Sequence, residues 1–147
     1  RPALQRALDL DPHSLEARLR LAHVHVRLGA DRRAAPLLDQ VLSGDPPEAY
    51  AYIAAVLLGD VRARGGLLQP AIDLYLTARA LMPAAQSAYI AHAHALRSAD
   101  QPEAAAAVIS EMLERPTHGD DPWTTYPRGL DEAAADLARL RVLLRQG

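Results

Sequence analysis

Cysteine, lysine, asparagine and phenylalanine are all missing from the 147 residues. Without cysteine there is neither a disulfide framework nor a thiolate metal centre, and thiols say nothing of the redox compartment, cytoplasm or periplasm. The 16 basic residues are therefore all arginine, set against 18 acidic ones for a net charge of −2, with no basic run. Nucleic-acid binding rests on phosphate neutralisation, so this balance argues against a nucleic-acid partner. No apolar stretch approaches the roughly 18 to 20 residues that span a bilayer, which argues against direct membrane insertion. Alanine (30 residues) and leucine (24) are abundant instead. Arginine without lysine in so alanine-rich a chain has the look of a GC-rich bacterial coding bias, so the missing lysine is a weak functional clue.

Proline supplies the punctuation. Pro12, Pro46, Pro83 and Pro116 follow Asp, Asp, Met and Arg, and they divide the chain into segments of 34, 37 and 33 residues. Self-similarity at such a period marks a helical repeat array. The segment ending at Pro83 shows the plan most clearly. Gly66 permits a left-handed turn, and Pro70 suits a first helical turn, where its missing N–H is not needed. Ala71, Leu74, Tyr75, Ala78 and Leu81 then fall on one face at helical spacing, and Pro83 biases Met82 away from the helix. The plan recurs with Ala34, Leu38, Val41 and Leu42, and again with Ala104, Val108, Ile109 and Met112. Pro102 repeats the placement of Pro70, whereas Pro36 lies deeper and predicts a helix that starts a few residues late. The first helix of each pair is predicted at roughly 15–28, 49–64 and 86–98. Tyr52 and Tyr89 sit at matching places near two of these starts, as packing residues. The longer 37-residue segment predicts an extended first helix through Asp60 to Gly65.

A small residue at the turn, Ala soon after, an aromatic or Leu one turn on and a closing Pro resemble the tetratricopeptide repeat family over most of residues 1–116. The match weakens in the last segment, where Ser98 stands for the turn Gly. The resemblance implies an all-α fold, a right-handed superhelical solenoid of helical hairpins in a single domain, 1–147. Its parts would be a half repeat (1–12), three repeats (13–46, 47–83 and 84–116), a loop (117–129) and a C-terminal capping helix (130–147). The opening Arg1-Pro2-Ala3-Leu4 would then be the second half of a repeat whose first helix lies upstream.

Little in the chain suggests chemistry. His23/His25 and His92/His94 are spaced by two, which turns paired side chains about 200° apart on a helix, whereas chelation wants three or four. His118, Asp120 and Asp121 form the one local cluster of acid–base groups, in a loop whose Asp and Gly residues suit turns. There is no phosphate loop, nucleophile elbow or HExxH, so neither an enzyme nor a cofactor or metal site is expected.

The family's concave pattern, carried onto this chain, gives Glu16, Leu19, His23, Val26 and Arg27, then Tyr50, Ile53, Leu57 and Asp60, then Ser87, Ile90, His94 and Arg97. The resemblance implies a non-catalytic scaffold that binds a peptide or helix of a partner protein in this groove, with Tyr50 as aromatic anchor and Arg27 and Arg97 as carboxylate partners. Relatives that grip a chaperone's C-terminal carboxylate use Asn and Lys, both absent here. In the same register His25 and His92 would pack inward. Two alternatives stand beside this reading: a permanently assembled subunit or homo-oligomer, and the non-catalytic tail of a larger enzyme or sensor.

Overall fold

The computed structural model describes residues 14–115 together with Asp121 and Pro122. The expected half repeat, most of the 117–129 loop and the capping helix lie outside the described residues. Six helices run through residues 14–115: α1 Leu15–Arg27, α2 Asp31–Ser43, α3 Glu48–Arg64, α4 Leu68–Leu81, α5 Ser87–Ser98 and α6 Pro102–Glu114. They form an all-α solenoid of three antiparallel hairpins. α3 has 17 residues against 13 in α1 and 12 in α5, so the extra length of the middle segment is an extended first helix.

The three hairpin turns are built alike. Gly29, Gly66 and Asp100 each adopt positive φ (76°, 81° and 60°) two residues before the second helix begins. The N–H groups of Ala30, Leu67 and Gln101 donate to the carbonyls of His25, Arg62 and Leu96 at 2.8–2.9 Å, and those of Gly29, Gly66 and Asp100 donate to Val26, Ala63 and Arg97 at 3.0–3.1 Å. This bonding satisfies the orphan carbonyls at the end of each first helix. In the third turn the glycine is replaced by Asp100, not by Ser98 as the sequence suggested. Ser98 ends α5, and its hydroxyl donates to the carbonyl of His94 at 3.1 Å. Aspartate is among the few residues with a side chain that visit the left-handed region.

α2 does not start late. It runs from Asp31 straight through Pro36. A proline at this depth deletes a helical hydrogen bond and crowds the carbonyl four residues back. Ala34, Leu38 and Val41, fully buried on the other face, hold the helix across that defect.

α1 packs on α3 and α3 on α5, while each second helix packs on the first helices flanking it. The first helices therefore form the tighter, inner layer of the stack. α3 is enclosed by α1, α2, α4 and α5, and every residue from Tyr52 to Gly59 is buried. Tyr52 and Tyr89 are both core residues, as expected.

α5 has no side-chain cap of its own at Gln86. Two residues distant in sequence serve instead. The Tyr52 hydroxyl accepts the N–H of Ala88 at 3.2 Å, and the Asp121 carboxylate accepts the N–H and hydroxyl of Ser87 at 2.9 and 2.6 Å. Asp121 thus acts on a helix N-terminus, where an anion is favoured by the exposed N–H groups and the helix dipole. Burial and the neighbouring Asp121 carboxylate push the Tyr52 phenol far up, so it stays neutral.

Candidate interaction surface and its pocket

The inner layer separates the carried-over residues into two groups. Leu19, Ile53 and Leu57 are 0–2% exposed and belong to the continuous core, and His23 is 7% exposed. These four are not groove surface, which corrects their assignment. The reason is the direct packing of first helix on first helix, which closes over the side chains between them. Val26 and Tyr50 are half-buried, and Arg27, Ile90, His94 and Arg97 are exposed. His92 is buried, and His25 half-buried.

Tyr50 lies beside α1. Burial and then the Glu16 carboxylate raise its phenol pKa, with Arg20 opposing, so Tyr50 and Glu16 meet across the α1–α3 seam. On α5, Ile90, His94 and Arg97 recur at four and three residues, one turn above another, and form an exposed stripe. Ile90 occupies the place in its repeat that Ile53 holds in the one before, yet it is 54% exposed. Ile53 lies on α3, between two first helices, whereas α5 is the last first helix among those described.

At the far end of the inner helices is a pocket of about 290 Å³, lined by Asp60, Ala63 and Arg64 of α3, Leu68 and Tyr75 of α4, and Ala91, His94, Ala95 and Ser98 of α5. Its floor depends on a glycine. A Cβ at Gly59 would lie 2.5–3.0 Å from three atoms of the Tyr75 ring, so only glycine lets that ring rest on α3. The ring in turn aims the Tyr75 hydroxyl at Asp60, to whose Oδ1 it donates at 2.5 Å. Burial raises the Asp60 pKa, while the Tyr75 hydrogen bond and the charges of Arg64 and His94 oppose that rise. Arg64 reaches back to the preceding hairpin, its Nε and second guanidinium nitrogen each 3.0 Å from the Asp31 carboxylate.

A second polar cluster joins α4, α5 and α6. The Arg79 guanidinium donates to Glu111 at 2.6 Å and to His92 Nδ1 at 3.0 Å, and it lies 4.2 Å from the centre of the Tyr89 ring. Burial and the Arg79 charge lower the His92 pKa, so His92 accepts as a neutral imidazole. The buried Arg79 Nε has no hydrogen-bond partner, but both terminal guanidinium nitrogens are engaged, and the cluster reads as a clasp between hairpins. Among the described residues no group of three His, Cys, Asp or Glu side chains is placed to hold a metal ion, and no helix is long and apolar enough to cross a membrane.

Stacked hairpins with left-handed turns and first helices inside agree with a family comparison, in which a tetratricopeptide repeat model matches residues 1–57. The match covers 57 of the 147 residues, and the hairpins beyond it repeat the same plan of first helix, left-handed turn and second helix. No curated protein sequence matches the chain. Among solved structures the helical stack superposes on a MamA protein with a TM-score of 0.68 at 23% identity, over 76% of this chain and 59% of that one. MamA MSR-1 gives 0.63 at 22% identity, over 76% and 62%, and MamA AMB-1 gives 0.64 at 21%, over 83% and 65%. The chain thus spans about three fifths of the length of these structures, and at such identities the likeness is one of fold.

Sequence reasoning found Asp60 and His94 as inner-face residues but not the pocket they share. Gly59 was missed, although a glycine inside a long apolar helix is itself a signal of close approach. Tyr75 was read only as a core residue. Asp121 was read as a turn former, and its partner Ser87 lies 34 residues away, beyond any local pattern.

Proposed function

We propose that the protein is an interaction scaffold, a tetratricopeptide stack that holds a peptide or helix of a protein partner along its inner face and performs no chemical step. The observation that carries this reading is the stripe of Ile90, His94 and Arg97, in which a large apolar side chain stands 54% exposed beside an imidazole and a guanidinium on the inner layer. An apolar anchor flanked by polar groups is the usual composition of a surface that recognises an amphipathic segment. Tyr50, half-buried near Glu16, extends the same face towards the first hairpin.

The test compares wild type, Ile90→Arg and Leu76→Arg as baits in affinity capture from a lysate of the source organism. Leu76, 45% exposed on a second helix, controls for the loss of any surface leucine. A protein retained by wild type and Leu76→Arg but lost by Ile90→Arg supports the reading. Equal retention by all three baits contradicts it.

A further inference from the structure

The pocket between α3, α4 and α5 contains a carboxylate, Asp60, that feels the charges of Arg64 and His94 but is bonded by neither. Asp60 accepts a hydrogen bond from Tyr75 at Oδ1, and that hydroxyl is the donor which reaches it among the described residues. A carboxylate has room for several donors; the second Asp60 oxygen receives none from the described side chains and is not among their buried unpartnered atoms, so it is open to the solvent that fills the pocket. Arg64 lines the same pocket, but its guanidinium is held by Asp31 through two bonds of 3.0 Å. His94 stands exposed at the rim. Ala63, Leu68, Ala91 and Ala95 supply apolar walls.

We propose that this pocket receives a basic side chain, lysine or arginine, from the bound segment of a protein partner, with its cationic head on Asp60 and its methylene stem along the alanine and leucine walls. The inference rests on the scaffold reading and adds to it the chemistry of one partner residue. About 290 Å³ lies at the bottom of the range for small-molecule sites and is suited to a single long side chain. An acidic side chain would meet the Asp60 carboxylate. A purely apolar one would cover that carboxylate and leave its free oxygen without a donor, which is the costly arrangement for a buried polar group. A cation on an apolar stem satisfies both the oxygen and the walls, because such side chains bury the stem and keep the head among polar groups.

The experiment follows backbone amide shifts of the isotope-labelled protein during titration with n-butylammonium as the lysine mimic, and with butyrate at matched ionic strength. Saturable shifts at Asp60, Arg64, Ala91 and His94 with n-butylammonium alone are expected, weakened by about tenfold or more in Asp60→Asn, as expected for loss of a charge-assisted bond. The spectrum of Asp60→Asn reports in the same experiment whether its fold is kept. If that variant is not folded, the Asp60 carboxyl of the wild type, followed through a pH titration, should titrate lower once n-butylammonium is added. Shifts with butyrate instead, or no saturable shift with n-butylammonium, would overturn the proposal. Those results leave the scaffold reading standing if Ile90→Arg still abolishes capture. Conversely, n-butylammonium binding with no capture that depends on Ile90 would uphold the cation pocket and remove the scaffold reading.

Discussion

Gly59 and Asp60 illustrate how single residues prepare the inner face. Replacing a mid-helix glycine by alanine ordinarily gains about 1 kcal/mol of helix propensity. Here the new methyl would press into the Tyr75 ring, a rigid group that is itself buried. Overpacking of this kind costs about 1 to 3 kcal/mol, so Gly59→Ala should destabilise the protein despite the propensity gain. Urea unfolding measures the net sign, and a more stable variant would show that the ring yields freely. Asp60 leads to a statement about pH. Its pKa is raised above 3.8 in the folded chain, so the folded state holds its proton to higher pH than the unfolded state. Stability then falls as pH rises from 3.8 through the folded value and stays lowered above it. Asp60→Asn removes this dependence and should be at least as stable as wild type at pH 7. Chemical denaturation at several pH values checks both points.

The helices themselves were legible where proline and glycine mark their ends. The predicted starts and stops of α1, α3 and α5 agree with the structure within a residue or so, because each is bounded by a turn whose backbone chemistry is local. The reading failed at Pro36, where a local rule met a tertiary force. Pro36 is exposed, and the residues that keep α2 helical lie on the opposite face. Pro36→Ala should therefore restore the missing hydrogen bond without disturbing the core, raising stability by up to about 3 kcal/mol. A shift of the thermal midpoint upward would confirm this, and an unchanged midpoint would mean that the helix had already relaxed around the proline. α3 posed a different difficulty. From Ala51 to Gly59 its sequence is apolar or aromatic on every side, so no polar face fixes which side chains turn inward. The family's concave pattern put Ile53 and Leu57 on the groove, no polar residue nearby spoke against it, and the enclosing helices bury both.

At the scale of the whole molecule the repeat period made the solenoid readable from sequence, since stacking is what two-helix units must do to cover their apolar faces. The proposed surface was only partly readable. A residue's place in the repeat does not decide its exposure; its place in the stack does, and Ile53 and Ile90 show the difference. The same holds for the pocket, which needs α3, α4 and α5 together and a tyrosine that looks like core in any one helix. Ile90, His94 and Arg97 are proposed as the surface that a partner occupies. The most direct measurement of that occupancy is site-specific photo-crosslinking in the source cell, with a photoreactive residue placed at position 90 and, as control, at position 76. A distinct intermolecular adduct with another protein is expected from position 90 and none from position 76. An adduct confined to the same chain from position 90, or identical products from both positions, would contradict it.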